Sequence, residues 1–151
     1  MLSCTDFIPA YSELFKFIEE HEGYNGVRSY WKYLSDEFLI ESLGKAVAEK
    51  GLEGCFDYWE VPLNEEAADF TLTFDPDVGE FTIEMHYCPS KGRLIEFTHI
   101  EPYHDYCGHC DLLYRNILEK YGFEYYFDTQ NCDKASCFIR VTDPDFKKQV
   151  M

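Results

Sequence analysis

Apolar and polar positions along the chain change period three times, and the changes mark out the elements. Over residues 7–21 the apolar positions Tyr11, Leu14, Phe15 and Ile18 recur at helical spacing, and Glu22-Gly23 ends the run. Tyr24-Asn25-Gly26 reads as a turn. A second helical region covers residues 28–50. Inside it Ser35-Asp36-Glu37 carries the marks of a fresh N-cap with acids in the first turn, and Leu39, Leu43, Ala46 and Val47 define one buried face. Gly51 suits the C-terminal stop.

The period then falls to two. Phe70-Thr71-Leu72-Thr73-Phe74 alternates, Phe81 to Tyr87 alternates, and Asp75-Pro76-Asp77-Val78-Gly79 lies between them, which predicts a hairpin with one apolar face. Cys88-Pro89 ends the second strand because proline cannot continue an interior ladder. Lys91-Gly92 reads as a turn, and residues 94–100 fit neither period. Helical spacing returns over residues 105–121, preceded by Pro102, capped by Asp105 and closed by Gly122, with Leu113, Ile117, Leu118 and Tyr121 on one stripe. Residues 123–128 and 136–142 read as two more strands joined by a polar loop, and the polar tail from Asp143 is expected to fray. Two hairpins can share one antiparallel sheet. The expected fold is therefore α+β, a single domain with a sheet of four or five strands covered by three or more helices.

Composition narrows the function classes. A chain of 151 residues fits one domain, and 46% apolar residues, with 13 Phe, 12 Tyr and 2 Trp, supply a core and exclude disorder. The formal net charge of -16 repels phosphate, which excludes a nucleic-acid partner and disfavours an anionic membrane surface. No apolar run reaches transmembrane length. Met1-Leu2-Ser3-Cys4-Thr5-Asp6 has neither a basic start nor an apolar core of a secretory signal, so a cytoplasmic location with reduced thiols is expected. In that compartment clustered cysteines point to metal binding or catalysis rather than to disulfides. Of the seven cysteines, Cys4, Cys55 and Cys137 are most simply core or surface cysteines, with burial the better reading for Cys137 in its strand. Oligomeric state stays open, a homodimer included.

The chemistry concentrates in Tyr103-His104-Asp105-Tyr106-Cys107-Gly108-His109-Cys110-Asp111, where two thiols, two imidazoles and two carboxylates open a helix. At about 100° per residue, His104, Cys107, Cys110 and Asp111 fall on one side and His109 points away. A helix N-terminus stabilises anions, so a thiol there can become a nucleophile or a ligand. Three readings follow. In the first, Cys107 and Cys110 ligate Zn2+, with His104, Cys88 or His86 completing the set and Cys132 and Cys137 as further candidates. In the second, Cys107 or Cys110 attacks an electrophilic carbon, a histidine moves the proton, and Asp105 or Asp111 orients it. In the third, Cys107 and Cys110 form a redox dithiol. The aromatic residues Tyr24, Tyr30, Trp31, Tyr33, Tyr58 and Trp59 either line a pocket or fill the core.

Cys88-Pro89 at a strand end, Tyr106-Cys107-Gly108-His109-Cys110-Asp111 opening a helix, and Cys137-Phe138-Ile139 in a late strand together resemble the L-2-amino-thiazoline-4-carboxylic acid hydrolase-like family over residues 70–142. The resemblance implies hydrolytic opening of a small cyclic amidine at a C–N or C=N bond, and it carries over Cys88, Cys107, Cys110 and Cys137 as motif positions. Residues 131–135 lack the glycine expected before the late cysteine. The expected site therefore has Cys107, His104, Cys110 and Asp111 as catalytic residues, with Cys88, His86 and His109 contacting substrate. The competing expectation is a non-catalytic domain that binds a small ligand or a metal. A likeness of the late strands to the ligand-binding domain of vinyl-reductase-like proteins favours that alternative.

Overall fold

A computed structural model describes residues 4–146 and 148. The side chains of Cys4 and Thr5 lie outside the described residues, so the packing role expected for Cys4 falls outside them too. Among the described residues five α-helices and four strands follow one another: α1 Cys4–Glu37, α2 Leu43–Lys50, α3 Leu52–Glu65, β1 Asp69–Asp75, β2 Glu80–Tyr87, α4 Pro89–Glu96, α5 Gly108–Lys120, β3 Glu124–Asp128 and β4 Cys137–Thr142. The strands form one antiparallel sheet in the order β1-β2-β4-β3, so the fold is α+β. Among the described residues no helix is long and apolar enough to cross a membrane.

The pleat sorts the side chains. Leu72 pairs with Ile83, Ile83 with Ile139, and Ile139 with Phe127, so one apolar row crosses all four strands. Phe81, Ile83, Met85, Tyr125, Ile139 and Val141 are buried against Val47, Cys55, Trp59, Ile117 and Leu118 from α2, α3 and α5. Trp59 stacks on Phe81 with ring centroids 5.5 Å apart. Burying each large side chain of this kind contributes about 1.5–3 kcal/mol. The α2–α3 crossing is close enough that a Cβ on Gly54 would sit 2.1 Å from the Ala46 carbonyl oxygen, a position only glycine tolerates.

A second apolar cluster lies apart from the sheet and consists of Phe15, Val27, Trp31, Leu94, Tyr103 and Tyr106. Its existence depends on Gly23, whose φ of 74° and ψ of 179° interrupt α1. Phe15 and Trp31 would be about 24 Å apart along an unbroken helix, yet their rings are 5.2 Å apart. The two limbs of α1 therefore fold back on each other. Ser12 ties this cluster to the segment before α5, accepting a 2.8 Å hydrogen bond from the Tyr103 amide.

Several expectations change. No helix begins at Ser35, because α1 continues to Glu37 and is followed by a 3-10 turn, Leu39–Glu41. Ser35 is instead fully buried, donating to the Leu113 carbonyl at 2.8 Å and accepting from the Asn116 amide at 2.9 Å. Ser35→Ala is expected to cost about 1–2 kcal/mol, because the Leu113 carbonyl and Asn116 lose a buried partner; urea unfolding of both proteins measures it. Residues 91–92 do not turn: they lie inside α4, which Cys88 caps and Pro89 opens. The helix expected from Asp105 begins at Gly108, after a turn. The start of the tail is docked, since the Asp143 amide donates to the Gly79 carbonyl at 3.0 Å and the Phe146 ring covers Gly79.

Candidate functional site

A cleft of about 390 Å3 opens beside the second apolar cluster, with Tyr106 and Cys107 in its wall. The second limb of α1 supplies Tyr24 and Arg28, α4 supplies Lys91, and the turn into α5 supplies His104, Asp105 and Cys107. Asp111 comes from α5 itself, and the β3–β4 connection adds Thr129, Cys132 and Asp133. The walls join segments more than one hundred residues apart, and each segment is placed by its own local signal. Gly23 turns Arg28 back towards α5, and Pro89 at the first position of α4 starts the helix that carries Lys91. A left-handed Ala135 (φ 58°) closes the short 3-10 turn that begins at Cys132.

Cys107 and Cys132 both line the cleft, and their thiols interact there. The asymmetry of this pair is its main chemical property. The Cys107 thiol is held far above the ordinary range, first by Cys132 and then by burial. Cys132 is shifted the other way, first by Cys107 and further by Lys91, against the opposing effect of burial. Cys132 is also the less buried of the two, so it is the sulfur that a molecule in the cleft reaches first.

The charged groups on the walls are arranged in pairs. The Tyr24 hydroxyl donates to Asp105 Oδ2 at 2.6 Å. His104 Nε2 contacts both Glu19 carboxylate oxygens at 2.9 Å, and this lowers the Glu19 carboxyl. Asp111 Oδ1 receives Arg115 Nη2 at 2.7 Å and Nε at 3.0 Å. Lys91 Nζ lies 5.9 Å from the centre of the Tyr106 ring, and Arg28 lies 5.8 Å from that of Tyr24. Neither cation is in a carboxylate ion pair among the described residues. The cleft thus offers two cationic side chains beside the Asp105 and Asp133 carboxylates, a lining suited to a small molecule that carries both signs.

Of the residues singled out by the sequence, His104, Cys107 and Asp111 share the cleft. Cys110 does not. Part of its surface is open, yet its thiol is surrounded by protein, contacts His109 Nε2 at 3.4 Å and is pushed well up, chiefly by burial. It stays a neutral thiol. His109 faces away from the cleft as expected and enters the aromatic cluster, with its ring 4.8 Å from Tyr106 and 5.4 Å from Tyr11. Cys88 caps α4 by accepting from the Lys91 amide at 3.4 Å, and burial raises its thiol. Strand alternation puts His86 on the sheet face opposite Phe81, Ile83 and Met85. It bonds Thr71 at 3.0 Å and lines a separate hollow of about 220 Å3. Burial pushes the Cys137 thiol up to about 12.

Among the described residues, no group of three or more His, Cys, Asp or Glu side chains is arranged to hold a metal ion. The Zn2+ set of Cys88, Cys107, Cys110 and His104 does not fit: Cys107 faces Cys132, Cys88 serves as a helix cap, Cys110 is turned to His109, and His104 is turned to Glu19. Cys88, Cys137 and Cys132 each raise the Cys110 thiol, and Cys110 raises that of Cys107. They form an electrostatic neighbourhood, not a coordination shell. Sequence reading gave no role to Arg28 or Lys91 and offered Cys132 only as a spare ligand. Proline directly after Cys88 is a helix-start signal that could have placed Lys91 at the site. No protein-family model matches the chain, and no curated protein or solved structure is similar to it at a significant level.

Proposed function

We propose that the cleft binds a small cyclic amidine bearing a carboxylate, of the aminothiazoline carboxylate type, and hydrolyses it with Cys132 as the nucleophile. The observation that carries this reading is the Cys107–Cys132 thiol pair set in a wall that offers both charge signs. Arg28 and Lys91 suit the substrate carboxylate, and Asp133 suits the cationic amidine. Cys132 sulfur adds to the amidine carbon across its C=N bond, and the ring nitrogen takes up a proton from His104. The bond from that carbon to the ring sulfur then breaks, the ring sulfur leaves and takes a proton from water, and the carbon stays on Cys132 as an S-linked isothiourea; water adds to it and expels the Cys132 thiolate, which releases the N-carbamoyl product.

The test is to incubate reduced protein with 2-aminothiazoline-4-carboxylate and follow N-carbamoyl cysteine. Turnover is expected. Saturable binding without turnover would leave the ligand-binding reading, and neither binding nor turnover would remove this substrate class. Arg28→Met is expected to raise KM by about tenfold while kcat changes less, because a charge-assisted contact to the carboxylate is worth about 1.5–3 kcal/mol and serves ground state and transition state alike. Steady-state kinetics separate the two constants.

A further inference from the structure

The sequence-adjacent pair Cys107-x-x-Cys110 invites a redox reading, but the fold gives Cys107 a different partner. Cys110 is turned inward onto His109, whereas Cys107 meets Cys132, which lies twenty-five residues away in sequence. Both members of that pair face the cleft. Cys107 stands at the N-cap of α5, and Cys132 begins a single 3-10 turn in the β3–β4 connection. Neither lies in the middle of a rigid element. Bringing the two sulfurs to the roughly 2.05 Å of an S–S bond therefore moves the ends of two segments and not the interior of a helix or strand.

We propose that Cys107 and Cys132 are a dithiol redox centre that reduces a small disulfide carrying carboxylate and ammonium groups. The sulfur of Cys132 attacks one sulfur of the substrate disulfide. That S–S bond breaks, and the first sulfur leaves as a thiolate and takes a proton from water. Cys107 sulfur then attacks Cys132 sulfur in the mixed disulfide and expels the second thiol, which takes the Cys107 proton. Two electrons and two protons pass to the substrate, and the protein keeps an internal Cys107–Cys132 disulfide. Excess small thiol reverses both steps. The attacking sulfur must be the one a substrate can reach and the resolving sulfur must lie behind it, and Cys132 is the more open of the two cleft thiols while Cys107 is the more buried. The charges that suit the substrate are those of Arg28, Lys91 and Asp133 on the same walls. This activity uses the same thiols as the proposed hydrolysis but does not require it.

The experiment treats the full reduced chain with oxidised glutathione and maps thiols and disulfides by mass spectrometry. Wild type is expected to lose two thiols, release two glutathiones and show one internal bridge between Cys107 and Cys132. Cys107→Ser should stop at a stable glutathione adduct on Cys132, and Cys132→Ser should react at least about tenfold more slowly, as expected when the thiolate that attacks is removed. A neutral disulfide, bis(2-hydroxyethyl) disulfide, should react about tenfold more slowly than oxidised glutathione if the wall charges select the substrate. A bridge mapped to Cys110, Cys88 or Cys137, or a persistent glutathione adduct on wild type, overturns the proposal, and equal rates for the two disulfides overturn its substrate class. Amidine turnover without a bridge would remove the redox centre alone, and a bridge without amidine turnover would remove the hydrolase reading alone. Because the bridge is read on wild type, a variant that fails to fold does not decide the matter.

Discussion

Cys132→Ser is expected to lower amidine turnover by at least about a thousandfold while leaving the fold intact, because a serine hydroxyl is far less ionised and less nucleophilic than a thiolate. Cys132 sits in a partly open loop turn and is not part of either apolar cluster, so the stability cost should be small. The companion changes separate its role from that of Cys107. Cys107→Ser keeps a donor against the Cys132 sulfur and should retain most of the activity. Cys107→Ala removes the donor and so raises the Cys132 thiol towards its ordinary value. The rate against pH should then climb later, with the loss greatest at neutral pH and recovered in alkali. Alkylation by iodoacetamide gives an independent reading: Cys132 should label faster than Cys55, whose buried thiol is pushed up to about 12. Wild-type turnover in Cys132→Ser, or labelling of Cys132 no faster than Cys55, would end its assignment as the nucleophile.

The second large effect is loss of stability in acid, traced to His109. Burial pulls its imidazole down to about 4 from an ordinary value near 6.5, against opposing effects of the Tyr106 carbonyl and the Asp105 charge. The folded value lies below the unfolded one, so stability is full above about pH 6.5. As pH falls towards about 4, the unfolded chain takes up a proton that the folded chain refuses, and stability declines; below that the loss is complete. The ring edge meets a hollow lined by Phe7, Ile8, Tyr11, Ser90 and Tyr106, which admits some solvent, and the expected loss is about 2 kcal/mol. Denaturant unfolding of wild type and His109→Phe at pH 7.5 and 4.5 tests it. The variant, which keeps an aromatic ring in the cluster, should lose less stability across that interval, and equal losses would show that another group controls the acid response. The Asp36 carboxyl does not compete in this window. Lys120, then Lys32 and Asn116, hold it well below the ordinary carboxylate range, so its contribution is present above about pH 4 and lost only at lower pH.

Much of the scaffold could be read from short-range pattern. The alternation that predicts strands at residues 70–74 and 81–87 reappears as the β1–β2 hairpin, and residues 123–128 and 136–142 become β3 and β4 within one residue at their starts. Helix α3 was not anticipated. Its run Leu52–Glu65 mixes Gly54, Pro62, Val61 and three aromatic residues, and intrinsic helix preference there is weak; packing of Leu52, Cys55, Trp59 and Leu63 against the sheet supplies what propensity does not. Pro89 was read as the end of a strand when it is equally the first residue of α4, and the same residue serves both purposes.

The site divides along the same line. Pattern along the chain determined that thiols, imidazoles and carboxylates gather at the start of one helix, that a two-hairpin sheet supports it, and that the chain as a whole is acidic. Those properties depend on neighbours within a turn or two, and the order of residues carries them directly. Which sulfur meets which was decided only by the tertiary structure. Cys107 and Cys110 lie three residues apart yet point to different surroundings, while Cys107 and Cys132 share a cleft because the β3–β4 connection lies beside the opening turn of α5, and the kink at Gly23 and helix α4 add Arg28 and Lys91 to the same walls. Contacts between distant segments depend on how helices pack on the sheet, and no local period in the sequence records that.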